Sequence, residues 1–347
     1  MDVRQATTVP RRVAIVGASG YTGGELLRLL LGHRMVSVEH VFALTSAGRR
    51  VDAIFPRFAH VTPLSFEPYT AEAACTSEVV FVSLPSGESM RLVPELLEQG
   101  KKVIDLAGDF RLNDAATYEQ FYRKPHTSAG LLGTAVYGLP EIKRDQIRRA
   151  QFVTNPGCYP TSILLPLVPL VKEGIVERRN IGITSLSGVS GAGRSSSVEM
   201  SFAEVNESVR AYKVGVHQHT PEIRQILHEA TGHEVSFTFV PHLLPITRGI
   251  STTIIAPLAG HATEDEIRSV YEEWYGSEPF VRLSLASVPE IKNVVNTNYV
   301  DIGFHLNSDD RTITVLSTID NLVKGAAGQA VQNMNLMLGF PESEGLQ

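Results

Sequence analysis

The chain has 347 residues, of which 43% are hydrophobic and 20% charged, and it carries a formal net charge of -6. This is ordinary globular composition, and the length suits two domains better than one core. The acidic balance argues against a general nucleic-acid or anionic-membrane binder, and no run of about 18 apolar residues offers a membrane span. Two cysteines cannot build a disulfide framework, and "MDVRQATTVPRR" has no apolar signal-like stretch, so the cytoplasm is the expected compartment.

The first element is "RRVAIVGASGYTGGELLRLLLGH". A strand over Val13–Val16 runs into Gly17, Gly20 and Gly23 at three-residue spacing. A helix follows, with Leu26, Leu27, Leu29 and Leu30 on its apolar side. Glycines let a backbone approach a pyrophosphate, and a helix start offers free N–H groups and a positive dipole end. Gly17, Ser19, Gly20, Tyr21, Thr22 and Gly23 are therefore the candidate cofactor turn. A second strand, "VSVEHVFALTSAGRR", ends in hydroxyls and arginine rather than the carboxylate that holds the ribose of NAD. Ser46 and Arg49 suit a 2′-phosphate, which favours NADP(H).

Two more strand segments follow, in "SEVVFVSLPSGESMRLVPELLEQG" and "KKVIDLAGDFRL". Apolar strands alternating with helices predict an α/β, Rossmann-type doubly wound parallel sheet with ligands at the strands' carboxyl ends. Ser83, Pro85 and the Asp109–Arg111 turn then fall near the cofactor. Arg111 reads equally as an anion ligand or as an interdomain ion-pair partner.

"QFVTNPGCYPTSILLPLVPLVKEG" is a strand, a turn and an apolar helix that starts near Pro160. Pro166 and Pro169 are expected to kink or shorten that helix. Cys158 in the turn, close to the helix start, reads as an exposed nucleophile with a lowered thiol pKa. Asn155 is a candidate amide donor, and Gly157 permits close approach of another group. Cys75 has ordinary helical neighbours and receives no role. "ITSLSGVSGAGRSSS" is a strand feeding a loop in which Ser187, Gly188, Ser190, Gly191 and Gly193 can present N–H and hydroxyl groups to anions, with Arg194 adding charge.

"AYKVGVHQHTPEIRQILHEATG" places His217 and His219 just before a helix with Thr220 as its expected N-cap. Histidine titrates near neutrality and serves as a general acid/base, and Glu222 could orient one of the two rings. An H-x-H pair also suits a metal, but no further ligand cluster is near and no metal is expected. The remaining segments "HEVSFTFVPHLLPI", "GISTTIIAPL", "VRLSLA", "NYVDIGFHL" and "RTITVLSTID" read as strands, with a hairpin turn at Asn307–Asp310. "TEDEIRSVYEEWYG" reads as a capped helix with Ile267, Val270, Tyr271 and Trp274 inward. The second domain is thus an α+β catalytic and dimerisation unit with a largely antiparallel sheet, one face of which a subunit partner would cover. The last segment, "DNLVKGAAGQAVQNMNLML", reads as one helix with small residues on one side.

The motifs "VGASGYTGGELLRLL", "DLAGDFRL", "NPGCYPT", "SGVSGAGR", "KVGVHQHTPEI" and "DNLVKGAAGQAVQNMN" resemble the N-acetyl-γ-glutamyl-phosphate reductase family of arginine biosynthesis along nearly the whole chain. That family usually has Gly or Ala where this chain has Ser162. The resemblance implies NADPH-dependent reduction of N-acetyl-glutamyl 5-phosphate to the 5-semialdehyde, with release of inorganic phosphate. It implies Cys158 as thioester-forming nucleophile and His217 as acid/base. Arg111, His219 and Glu222, joined by Asn155, Ser190 and Gly191, would bind substrate. Ser187, Gly188 and Asn321 would lie near the nicotinamide. The implied division is a cofactor domain over 1–156, completed by a C-terminal helix over 320–347, and a catalytic domain over 157–319. A homodimer or homotetramer is expected.

Three alternatives stand beside this reading. Aspartate-semialdehyde dehydrogenase and the lysine-pathway aminoadipyl-phosphate reductase would use the same cysteine and cofactor. An NADP-sensing binding protein would need the glycine turn but neither the thiol nor the paired histidines.

Overall fold

Val79–Val82 is buried at all four positions, as a strand covered by helices on both faces must be. It lies inside a six-stranded sheet built from β1 (Arg11–Val16), β2 (Val36–Phe42), β3 (Val79–Val82), β4 (Lys102–Asp105), β5 (Val136–Tyr137) and β6 (Phe152–Thr154). The order is β2-β1-β3-β4-β6-β5, and every pairing is parallel. The chain leaves β1 toward β2 on one side and returns to β3 on the other. The carboxyl ends of β1 and β3 therefore flank the crevice where such sheets bind ligands. The computed structural model describes residues 9–347, except 195–196, 285–286, 308 and 310.

The second sheet has seven strands: β7 (Ile181–Gly188), β8 (Arg210–Ala211), β9 (Phe237–Leu244), β10 (Ile250–Pro257), β11 (Val281–Leu283), β12 (Val300–Asn307) and β13 (Thr312–Ile319). Its order is β11-β12-β13-β10-β7-β9-β8. The β7–β9 and β11–β12 pairs are parallel and the other pairs antiparallel, so the sheet is largely antiparallel, as expected. Asn307 pairs with Thr312 across the expected hairpin, while Ser308 and Asp310 of its turn lie outside the described residues. The helix Cys158–Lys172 lies on β10 and β13 and against the helices His219–Thr231 and Glu264–Tyr275. Alternate residues on the other face, among them Leu186, Thr253, Ile255, Thr314 and Leu316, are partly or fully exposed.

Three helix boundaries differ from the sequence expectation. The helix expected near Pro160 begins at Cys158 and runs unbroken to Lys172 through Pro166 and Pro169. A proline frees the carbonyl four residues earlier. Here Ser317 Oγ donates to Ser162 O at 2.6 Å, and Tyr275 Oη donates to Leu165 O at 2.5 Å. Both freed acceptors are thus satisfied from neighbouring elements, so the helix survives. The second difference is the helix of His219, whose cap is Gln218, two residues before the expected Thr220. The third is the C-terminal helix. It begins with a π-helical turn at Val323–Ala327, continues as Gly328–Leu338 and stops at left-handed Gly339, short of residue 347.

That C-terminal helix packs on the helices Tyr21–Leu31 and Pro140–Arg149 and on β4. In the capped helix, Ile267, Tyr271 and Tyr275 face inward, while Val270 and Trp274 are only partly buried. Ser162 joins a buried hydroxyl chain with Thr252 and Ser185, each contact 2.8 Å. No helix among the described residues is long and apolar enough to cross a membrane.

Candidate active site

The glycine turn sits at the end of β1, against Ser83 at the end of β3, whose N–H donates to Val16 O at 2.8 Å. Gly17 has φ +88, and a Cβ there would collide with Ser83 O. A Cβ on Gly23 would collide with Gly17 O. These two glycines are therefore required by the fold of the turn itself. Gly20 is the N-cap of the helix Tyr21–Leu31, which has no side-chain cap and no acidic residue in its first turn. Ser19, Tyr21 and Thr22 edge this open helix start, which suits a pyrophosphate. Arg194 reaches in from the second domain, donating to Ser19 O at 3.0 Å with its guanidinium 5.3 Å from the centre of the Phe55 ring.

Ser46 is buried in the turn after β2, and Arg49 is exposed beside it. The Arg49 side chain makes no hydrogen bond or ion pair among the described residues, which leaves its guanidinium available to a phosphate. Beyond β3, Pro85 is exposed and the next residues are held from below by Asp109. The Asp109 carboxylate accepts from the N–H groups of Gly87 and Ser89 and from the hydroxyls of Ser89 and Tyr118.

Cys158 is the first residue of its helix and is half-buried. The turn before it is clamped from three directions. Glu222, fully buried, accepts from Gly157 N–H and from Tyr137 Oη, both at 2.8 Å, on the same oxygen. Its second oxygen lies 3.6 Å from Arg111 Nη1. Arg111 also donates to Asn155 O and Leu106 O at 2.8 Å each, and its Nη1 lies 3.4 Å from His219 Nε2. Arg111 thus makes the carboxylate ion pair that its position allowed. Gly157 has ordinary extended backbone, but a Cβ on it would come 2.5 Å from His219 Nε2. The close approach that Gly157 permits is that of His219.

The two histidine rings meet edge to face, 4.7 Å between centres, and both pack on Tyr159. His219 N–H donates to His217 Nδ1 at 3.1 Å. That bond assigns the neutral His217 its proton on Nε2. Glu222 hydrogen-bonds neither ring, contrary to the expectation that it orients one.

Two families of conserved domain architecture match the chain: a semialdehyde dehydrogenase NAD-binding domain over residues 12–150 and a semialdehyde dehydrogenase dimerisation domain over 158–321. The N-acetyl-gamma-glutamyl-phosphate reductase of Pelotomaculum thermopropionicum is 49% identical over 96% of this chain and 97% of its own. Those of Desulfotalea psychrophila, over 97% and 98%, and of Geobacter metallireducens, over 96% and 97%, are also 49% identical. The chain belongs to the N-acetyl-γ-glutamyl-phosphate reductase family. It is accordingly an oxidoreductase of the phosphorylating semialdehyde dehydrogenase type with a nicotinamide dinucleotide-binding domain. The fold is shared more widely. Aspartate semialdehyde dehydrogenase II of Vibrio cholerae superposes with TM-score 0.73 at 17% identity over 96% of this chain and 99% of its own. The Candida albicans enzyme, solved with NADP, gives 0.72 at 16% over 95% and 99%.

In this reductase the titration states differ from the sequence expectation. Burial pushes the Cys158 thiol up to about 11, although Arg111 and the Tyr159 N–H pull it down. A helix start lowers a thiol pKa only where water is not stripped away as well. Burial, with Lys213 nearby, lowers His217 to about 3. Burial, then His217, Arg111 and Lys213, lowers His219 well below its ordinary value. Burial therefore favours the neutral form of the thiol and of both rings.

Several other candidates are committed to the scaffold. The Asn155 amide donates to Ala326 O at 3.1 Å and accepts from Asn333, so it faces the C-terminal helix. Asn321 accepts from Gly249 N–H at 2.8 Å and donates to Ser190 Oγ at 3.0 Å. Ser187 Oγ donates to Gly188 O. The N–H groups of Gly188, Val189 and Ser190 bind carbonyls of the loop 246–249 rather than standing free for an anion. Gly191 adjoins Ser187 Oγ and Asn321 Nδ2. Sequence reading missed Tyr137, the anchoring role of Asp109, and the half-buried Arg248 that joins Glu25 at 2.6 Å to Asp320 at 3.2 Å. A carboxylate on the apolar side of the first helix, at Glu25, was the available signal for that last network.

Proposed function

We propose that this reductase converts N-acetyl-glutamyl 5-phosphate to N-acetyl-glutamate 5-semialdehyde through a thioester on Cys158, in arginine biosynthesis. The observation that carries the reading is the Gly157–Cys158 turn. It is gripped by Glu222, Arg111 and His219 beside the carboxyl ends of the parallel sheet, in a chain half identical to named reductases over nearly its full length. NADPH, when bound at the open helix start of Tyr21, supplies the hydride. Cys158 sulfur attacks the acyl carbon and gives up its proton, the bond to the phosphate oxygen breaks, and phosphate leaves. After hydride reaches the thioester carbon, the C–S bond breaks, the aldehyde is released and the sulfur recovers a proton. His217 exchanges these protons. An acyl phosphate brings negative charge beside the histidines, which raises their basicity, so substrate arrival itself activates the neutral site.

Gly17, Ser19, Gly20, Tyr21, Thr22 and Gly23 hold the pyrophosphate, with Ser46 and Arg49 on the 2′-phosphate. Ser83, Pro85, Ser187, Gly188 and Asn321 line the nicotinamide side. Arg111, His219, Ser190 and Gly191 flank the substrate, while Asn155 and Glu222 hold the Cys158 turn. Residues 1–156 with 320–347 form the cofactor unit and 157–319 the catalytic unit. The open sheet face with Ile255 and Leu316 suits a second copy, giving a homodimer or homotetramer, and the free cysteines suit the cytoplasm.

Identity ranks the substrates, since the acetylglutamyl enzymes are 46–49% identical and the aspartate enzymes 14–18%. The test is turnover of purified protein with NADP, phosphate and each of the three semialdehydes. NADPH formation with N-acetyl-glutamate semialdehyde is the expected result. Formation only with the aspartate or aminoadipate compound overturns the choice, and binding of NADPH without turnover of any of them favours the sensor.

A further inference from the structure

We propose that Gly325 is a positioning residue for Cys158, and that the π-helical turn carrying it sets the space in which the thiol works. The proposal rests on the reading of Cys158 as nucleophile. Val323–Ala327 is a single π-turn, closed by Ala327 N–H donating to Leu322 O and Gly325 N–H donating to Asp320 O, both at 2.9 Å. Such turns are rare and recur at functional sites.

A Cβ built on Gly325 would lie 2.8 Å from Cys158 Cβ and 3.3 Å from Cys158 Cα. Gly325 is not among the residues with positive φ, so its backbone does not demand glycine. Glycine also weakens a helical segment relative to alanine. The close approach of Cys158 is the tightest constraint that remains to require it, with Asp320 O next at 3.3 Å. On the other side of the cysteine, Gly157 meets His219 in the same way. The nucleophile is thus flanked by two residues without side chains, Gly157 before it in the chain and Gly325 against its Cβ.

The turn is anchored rather than merely adjacent. In front, Asn155 Nδ2 donates to Ala326 O at 3.1 Å, tying the residue after Gly325 to the segment that leads into Cys158. At its base, Asp320 Oδ1 accepts from Leu322 N–H at 2.7 Å. Behind, Lys324 Nζ donates to Glu141 Oε1 at 2.6 Å and to Gln332 Oε1 at 2.8 Å, with both charged side chains fully buried. A buried ion pair has one defined geometry, so it fixes how far the turn advances toward the sulfur.

Two variants test this. Gly325→Ala crowds Cys158 directly. Lys324→Met combined with Glu141→Leu replaces the rear anchor by apolar groups, an exchange that folds generally tolerate, and leaves the Cys158 contacts untouched. For each folded variant, kcat, the NADPH Kd and the iodoacetamide alkylation rate of Cys158 across pH 7–11 are measured. The expected result is a kcat lower by about tenfold to a hundredfold, as misplacement by about an ångström produces. The alkylation profile should shift at least threefold, with NADPH Kd unchanged. A merely structural role would lower stability and leave the alkylation of folded protein as it was. Wild-type kcat and alkylation in folded Gly325→Ala overturn the proposal, as do wild-type values in the double variant if Gly325→Ala does not fold. Cys158→Ser is the control: if it retains turnover, the nucleophile reading fails rather than this one.

Discussion

Two turns in this protein share one local plan, a parallel strand, a glycine and an uncapped helix start, and use it for opposite ends. At Gly17–Gly23 the glycines serve the turn itself, through a positive φ and contacts within a few residues or across one strand pair. The helix start stays open and can meet an anion. At Gly157–Cys158 the backbone is ordinary, and the glycine serves a histidine that arrives from sixty residues away in the chain. Here the Gly157 N–H before the helix is taken by Glu222, and burial, with a smaller contribution from the Glu222 charge, pushes up the thiol that the helix start should activate. A motif therefore reports local geometry, while burial decides its chemistry.

Substitutions at each turn should separate the two uses. Cys158→Ser should cut turnover by roughly 10⁴-fold or more, as loss of a nucleophile does, with the NADPH Kd unchanged. Gly17→Ala should do the reverse, weakening NADPH binding at least about tenfold through misplaced N–H groups, while Cys158 alkylation persists. Isothermal titration and stopped-flow assays read both. Loss of both properties in either variant would break the comparison.

The Glu222 contact itself can be altered. Glu222→Gln keeps the acceptor for Gly157 and removes the charge that raises the Cys158 pKa. The thiol titration midpoint should move down from about 11, and alkylation at pH 8 should accelerate. The unpaired Arg111 should cost about 3 kcal/mol in urea unfolding. An unmoved midpoint would show that burial alone sets the thiol.

Acid stability sharpens the same contrast. His217 falls from an ordinary 6.5 to about 3 on folding. A depressed folded pKa contributes stability above the unfolded value and loses it as pH falls from about 6.5 toward 3. The loss is up to about 1.4 kcal/mol per pH unit. His217→Gln should flatten urea midpoints measured between pH 6.5 and 4. The smallest effect belongs to the scaffold beneath Cys158. Tyr275→Phe orphans the Leu165 carbonyl that Pro169 leaves free and should cost about 1–3 kcal/mol, with kcat intact in folded protein.

The longer strands of both sheets and the glycine turn were legible because each depends on periodicity or on residues adjacent in sequence, whereas the two-residue strands Val136–Tyr137 and Arg210–Ala211 are too short to show a period. The continuous proline-containing helix was not, since its freed carbonyls are satisfied by Ser317 and Tyr275, more than a hundred residues onward. The helix starts at Cys158 and His219 were read two residues late. In the second, the cap Gln218 makes no side-chain bond and the His217 ring before it accepts from His219 N–H, which no capping preference contains.

By itself the sequence determined the fold class, a parallel α/β unit followed by an α+β unit, and which residues to propose for the chemistry: a thiol, two imidazoles, an arginine and a glycine-rich helix start. Only the tertiary structure decided their state. It joined Arg111 to Glu222, turned Asn155 and Asn321 to the scaffold, and shifted the thiol and both rings toward their uncharged forms. The reason is that spacing along a chain fixes neighbours within a turn or two, whereas desolvation and long-range charge depend on everything packed around a group.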